Sequence, residues 1–108
     1  MIIPKEEEFI LFFESEATNS IPKEGYWNYT YKEDEVFLRF SFDIFEGSIQ
    51  TVLKFKENII ETVSYEGAEK IRIEGNTLYV DFIITNNLTK LKLELHPIKI
   101  TWSTLKME

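Results

Sequence analysis

The strongest constraint on the fold is an alternation of apolar and polar residues between Leu78 and Trp102. Apolar side chains recur there at nearly every second position, and the stretch divides into three predicted strands: Leu78 to Thr85, Leu88 to His96 and Ile98 to Ser103. A period of two is typical of half-buried strands in an antiparallel sheet. The pattern therefore indicates a β scaffold, and by itself it carries no catalytic chemistry.

The same alternation occurs upstream. It predicts five further strands: Tyr26 to Tyr31, Val36 to Ile44, Ser48 to Lys56, Ile59 to Tyr65 and Ala68 to Glu74. Dipeptides that favour turns lie between the strands: Glu46-Gly47, Glu57-Asn58, Glu66-Gly67, Gly75-Asn76 and Asn86-Asn87. Short strands at this regular spacing predict an all-β protein in which residues 1–108 form a single β domain. We expect one antiparallel meander of about eight strands, folded as a small sandwich or barrel.

The first fourteen residues allow two interpretations. Pro4 followed by three glutamates is typical of a helix start, because anions are favourable near the positive end of the helix dipole. The short apolar run from Phe9 to Phe13 instead favours a strand buried on both faces. Phe9, Phe12 and Phe13 would also line one side of a short helix. We expect a strand here, with one short N-terminal helix as the alternative, and a loop over residues 15–25.

Composition excludes several classes of function. The chain has 108 residues and no cysteine, so disulfides and thiolate metal sites cannot form. Its net charge of −7 disfavours nucleic acid as a partner, because binding to phosphates requires basic patches. The same charge disfavours an anionic membrane surface. We expect no cofactor, no nucleic acid and no membrane among the binding partners.

The charge is unevenly distributed along the chain. Residues 1–35 hold nine acidic and three basic side chains, whereas residues 36–108 hold ten and nine. The acidic start lacks the basic and then apolar pattern of a signal peptide. The chain also lacks an apolar run near the ~18 residues of a membrane span. These features predict a cytoplasmic protein whose N-terminal third is its acidic part.

The sequence offers little for catalysis. His96 is the only histidine, and a general base would be its catalytic role because its pKa lies nearest neutrality. The chain has no G-x-S-x-G elbow, so His96 is interpreted as a polar residue at the end of a strand. Glu14 with Glu16, and the run from Glu33 to Glu35, lack the spacing of a calcium loop and suit a solvated surface. We predict no catalytic residue, no metal site and no enzymatic activity.

The most suggestive group of residues combines aromatic and acidic side chains. Its members are Tyr26, Trp27, Tyr29, Tyr31, Glu33, Asp34 and Glu35. Tyr and Trp are enriched in binding hot spots, and an acidic rim accelerates encounter with a basic partner. We therefore predict that these residues bind a partner. The alternative is that Trp27, Tyr29 and Tyr31 form the core face of one strand.

In size, acidity and lack of catalytic groups, the chain resembles the small acidic cytoplasmic immunity proteins of bacterial toxin systems. Those proteins mask basic nucleases and other toxins. The resemblance implies a non-enzymatic protein-interaction module that inhibits a basic protein partner. Two other functions stay open: a small β-barrel that binds an apolar ligand, and a structural or self-assembling role. The protein would be a monomer, or a homodimer formed through an uncovered edge strand.

Overall fold

The computed structural model describes residues 1–84 and 87–106. In this part of the chain it contains one α-helix, one short 3₁₀ helix (Pro22–Glu24) and nine strands. Their bounds are α1 Glu6–Phe13, β1 Asn19–Ile21, β2 Tyr26–Glu33, β3 Val36–Asp43, β4 Ser48–Phe55, β5 Asn58–Tyr65, β6 Ala68–Glu74, β7 Thr77–Ile84, β8 Asn87–Glu94 and β9 Lys99–Lys106. The all-β prediction is confirmed.

The strands form two antiparallel sheets. The first has the order β1-β2-β3-β4-β5 and the second has the order β6-β7-β8-β9, so each sheet is a meander of neighbours in sequence. The predicted single meander is therefore divided in two after Tyr65, and the structure is a two-sheet arrangement without a closed barrel. Ile2 extends the second sheet through a parallel bridge to Lys70, in which its backbone N–H donates to the Glu69 carbonyl at 2.9 Å.

One hydrophobic core joins the two sheets and the helix. Sheet one contributes the face that carries Tyr29, Leu38, Phe40 and Phe42, and all four side chains are at most 2% exposed. The matching face of sheet two carries Ile71, Leu78, Val80, Phe82, Leu91 and Leu93. The space that a barrel would offer to an apolar ligand is filled by these side chains. Burying each of them contributes roughly 1.5–3 kcal/mol before the loss of chain entropy is counted.

The expected strand at residues 9–13 is wrong, because this segment is the helix α1. Phe9, Phe12 and Phe13 lie on one face of that helix and are all buried. Phe9 stacks on Tyr29 with ring centroids 5.1 Å apart, and Phe13 also stacks on Tyr29, at 5.0 Å. Glu8 accepts a hydrogen bond from the Lys5 backbone N–H at 2.9 Å, which closes the first turn.

Most strand boundaries differ from the predictions by one to three residues. The turn after β2 is confined to Asp34 and Glu35, because Lys32 and Glu33 still pair with β3. The predicted loop over residues 15–25 contains β1, which pairs with β2. Of the predicted Asn86-Asn87 turn, Asn86 lies outside the described residues and Asn87 is the first residue of β8.

Candidate protein-binding surface

The aromatic stripe of β2 belongs to the core rather than to an open surface. Tyr29 is 1% exposed and Tyr31 is 9% exposed. Trp27 is half-buried and stacks on Phe42 with ring centroids 5.7 Å apart. Tyr26, also half-buried, pairs with Asp43 of β3. The alternation of β2 explains this placement, because the face shared by residues 27, 29 and 31 is turned toward the other sheet and the helix.

The pKa values of Tyr29 and Tyr31 are raised above the ordinary value of tyrosine. Burial, reinforced by the charge of Glu6, raises the pKa of Tyr29 to about 12. The pKa of Tyr31 is raised to about 12 as well, first by desolvation and then by its hydrogen bond to Glu33 and the charge of Glu14. Both tyrosines are therefore neutral at physiological pH.

The three acidic residues of the predicted site follow one another where β2 ends. Glu33 is the last residue of β2 and is half-buried, whereas Asp34 and Glu35 form the exposed turn to β3. Asp34 has a left-handed φ of 54°, a conformation that Asp tolerates better than most residues. The Lys56 N–H donates to the Glu35 carbonyl at 3.0 Å, so this turn is joined to the turn between β4 and β5.

His96 brings the helix and both sheets together. It follows β8, and its Nδ1 lies 2.9 Å from the Tyr31 hydroxyl and 3.3 Å from Glu33 Oε2. Its Nε2 lies 3.6 Å from Oε2 of Glu14, the residue that ends α1. We call Glu14, Tyr31, Glu33 and His96 the acidic junction. Two carboxylates from different elements converge there on one imidazole, and the His96 side chain is 55% exposed.

An exposed apolar side chain lies beside the acidic junction. Leu11 projects from α1 and is 79% exposed. It lines a shallow depression of about 150 Å³ together with Glu14, Asn76 and His96. A solvent-exposed leucine bordered by carboxylates is the composition expected of a contact surface with a polar rim. The junction therefore combines an apolar contact with negative charge at one place.

A larger groove lies next to the Asp34-Glu35 turn. Its volume is about 540 Å³ and Phe37 forms its apolar part. The charged lining residues are Lys32, Lys54, Lys56, Asp34, Glu35 and Glu57. Lys54 lies over the Phe37 ring at 5.2 Å from its centroid, and the Lys56 ammonium lies 3.8 Å from Glu35. Because lysines balance carboxylates here, the groove is less negative than the acidic junction.

The described parts of the chain show neither a metal centre nor a membrane-spanning helix. No group of three or more His, Asp or Glu side chains in residues 1–84 and 87–106 is arranged to hold a metal ion. Within the same ranges the structure contains no helix of the length and apolarity that crossing a membrane demands.

Sequence reasoning missed the contributions of Leu11, Glu14 and His96. The strand interpretation of residues 9–13 hid Leu11, since a helix is needed to place Leu11 outside while Phe9 and Phe12 are inside. The contact between His96 and Glu33 spans 63 positions of sequence, and nothing in local spacing indicates it. The spacing of Phe9, Phe12 and Phe13, interpreted as one face of a helix, was the one signal in the sequence for these positions. It would have predicted that Leu11 lies on the outer face of that helix and that Glu14 lies at its end.

Comparison with solved structures identifies a close relative. The chain aligns with 96% of its own length and 96% of the other chain to a structure described as a contact-dependent growth inhibition toxin–immunity protein complex from Klebsiella pneumoniae 342, with a TM-score of 0.86 and 30% sequence identity. No family model matches the sequence, and no curated protein matches it.

The fold and this match define an immunity-type protein-interaction module. The chain belongs to the family of contact-dependent growth inhibition immunity proteins. The predicted immunity-type function is confirmed by this relative, which is 30% identical in sequence and has the same fold over 96% of both chains.

Proposed function

We propose that this protein is a bacterial cytoplasmic immunity protein that binds a toxin with a basic surface and blocks it without catalysis. The observation that carries the proposal is the alignment, over 96% of both chains, with a chain from a toxin–immunity protein complex. Because that structure is a complex of a toxin with an immunity protein, it supports a protein, rather than a small ligand, as the partner of this chain.

The acidic junction and the adjacent turn are the proposed contact with the toxin. Leu11 supplies apolar area that water covers in the free protein. Glu14 lines the same depression as Leu11, and Glu33 meets Glu14 at His96. The exposed Asp34 follows Glu33 along the chain and adds a third negative charge. Tyr29 is buried and therefore does not contact the toxin. Tyr31 contributes through its hydroxyl, which orients Glu33 and His96.

The charge of this surface should act chiefly on association. Exposed carboxylates attract a basic surface over about one Debye length, ~8 Å at physiological salt. Such attraction raises the association rate more than it slows dissociation. Leu11 and the ordered junction would then govern how slowly the complex separates.

Neutralisation in cells tests the proposed function. The toxin domain encoded next to this chain's gene is induced in a susceptible strain, with and without co-expression of this protein. We expect growth to be restored only when the protein is present, and the two chains to copurify. Continued growth arrest with abundant folded protein would contradict the proposal.

A charge-variant pair tests the contact surface. Asp34→Asn with Glu35→Lys should lower the association rate at low salt by about tenfold and leave dissociation nearly unchanged. The control combines Glu24→Gln with Glu46→Lys, which makes the same change in net charge at other exposed positions. Stopped-flow measurements at several ionic strengths compare them, and equal losses in both variants would remove this surface from the proposal.

A further inference from the structure

Strand β5 is an unprotected edge of the five-stranded sheet. Within residues 1–84 and 87–106 it pairs with β4 on one side only, and seven of its eight residues are exposed. Ile59 and Ile60 are 62% and 60% exposed, and Tyr65 is 41% exposed. An edge strand presents unpaired backbone N–H and C=O groups to solvent, and proteins normally cover or charge such edges.

The other edges differ from β5. At the opposite edge of the same sheet β1 has three residues, too short to pair with a long segment. In the second sheet, edge strand β6 carries Lys70 and Arg72 and forms a bridge to Ile2, and edge strand β9 begins with Lys99. Lysines on an edge oppose pairing with other strands. Strand β5 has no lysine or arginine, so it lacks this protection.

The segment of the chain that contains β5 is acidic. Residues 57–69 contain four glutamates, Glu57, Glu61, Glu66 and Glu69, and no basic residue. A second copy of this chain would bring the same negative charges against one another, and like charges across a strand pair are destabilising. A segment carrying lysine or arginine would meet complementary charge. Charge complementarity thus selects a basic strand over self-pairing.

The regular part of β5 fixes where such a strand can pair. The register between β4 and β5 shifts between Leu53 and Lys54, so Ile60 is an extra residue on β5. From Glu61 to Tyr65 the pairing is continuous, with Val63 opposite Thr51. A bulge interrupts pairing on both sides of a strand. The outer side of Glu61 to Tyr65 is therefore the regular template, with Ile59 and Ile60 as an apolar flank.

We propose that the toxin partner adds an extended basic segment to β5 as a sixth strand of the first sheet. The inference rests on the proposed function, since it names how that same partner is held. Backbone hydrogen bonds along Glu61 to Tyr65 would supply affinity, and Glu57, Glu61 and Glu66 would select basic side chains. This contact lies on a different element from the acidic junction, so the two can be tested separately.

Residue-resolved amide hydrogen exchange tests strand addition directly. The protein is measured alone and bound to the toxin domain encoded next to its gene. In the free protein, alternate amides of β5 point away from β4 and should exchange rapidly. In the complex we expect those alternate amides between Glu61 and Tyr65 to be protected by about tenfold or more. Complex formation without new protection in β5 overturns the inference and leaves the proposed function intact.

A variant pair gives an independent measurement. Ile59→Thr with Ile60→Thr should weaken toxin binding by about tenfold, because it removes the apolar flank and keeps β propensity. The control, Ile83→Thr with Leu105→Thr, removes two exposed apolar side chains from the second sheet and should bind like the parent. Equal affinity in both variants contradicts the inference.

Two further outcomes can be distinguished from a failure of strand addition alone. If no complex forms, the proposed function fails and the inference fails with it. If the free protein dimerises in sedimentation and its β5 amides are already protected at high concentration, the occupant is a second copy, and the proposed basic strand is wrong.

Discussion

At the scale of single residues, Gly25 shows how a turn is fixed by space as well as by backbone conformation. Its φ is 70°, in the left-handed region that favours glycine. A Cβ built at this position would lie 2.6 Å from Ile44 Cγ1 and 2.9 Å from Phe45 Cδ2. Gly75 has a similar φ of 62°, but no atom lies within 4 Å of a Cβ there.

These two glycines give a matched prediction. Gly75→Ala should cost about 1–2 kcal/mol of unfolding free energy, the usual penalty of a left-handed alanine. Gly25→Ala should cost roughly 1–3 kcal/mol more, because Ile44 and Phe45 must move aside. Urea denaturation at constant m-value measures the difference. Equal losses of unfolding free energy in the two variants would show that Ile44 and Phe45 move aside at no measurable cost.

Individual polar contacts were the least predictable features. The sequence shows that His96 is unique but not that it meets Tyr31, Glu33 and Glu14, which come from two other elements. Those contacts depend on how the sheets and the helix pack together. Asp34 and Glu35 could be predicted as a charged turn, because they lie between two stretches in which apolar and polar residues alternate.

At the scale of elements, strands were predicted better than the helix. A strand repeats every two residues, so β3 and β4 each show four or more alternations in the sequence. The helix α1 has eight residues, about two turns, and its apolar run is too short to separate a period of 3.6 from continuous burial. Packing on Tyr29 and Phe40 then favours the helix, because an isolated helix this short is unstable.

The two faces of α1 should respond differently to truncation. Phe9→Ala removes a ring that is 1% exposed and should cost about 3–5 kcal/mol. Leu11→Ala changes a side chain that is 79% exposed and should alter stability by less than about 0.5 kcal/mol. Thermal and urea unfolding of both variants measure the contrast. A large loss of stability in Leu11→Ala would show that Leu11 packs in the core after all.

At the scale of the whole molecule, stability should fall in strong alkali. The tyrosines of an unfolded chain ionise near pH 10, whereas folded Tyr29 and Tyr31 ionise at about 12. Their contribution is complete below pH 10 and is lost as the pH rises from 10 to 12, because unfolding then releases protons. Tyr29→Phe with Tyr31→Phe should flatten this slope in urea melts taken across that range. An unchanged slope would assign the alkaline loss to other groups.

The distribution of charge also belongs to the whole molecule. Sequence analysis located the acidic excess in residues 1–35, whereas the second acidic segment, residues 57–69, became relevant only when the structure placed β5 at a sheet edge. The net charge of residues 36–108 did not reveal this segment, because basic residues elsewhere in that range nearly cancel its negative charge. A division into two sheets was expected as the sandwich alternative, but its position was hidden, since the Glu66-Gly67 connection resembles the turns within each meander.

The position of Trp102 gives the molecule an internal optical signal. Its ring centroid lies 4.9 Å from that of Tyr65, the last residue of β5. Trp27, the other tryptophan, lies on β2, three strands away across the same sheet as β5. With Trp27 replaced by Phe, the emission of a single indole would follow what happens beside β5 without an attached dye. Occupancy of that edge could then be recorded in milliseconds, on unlabelled protein.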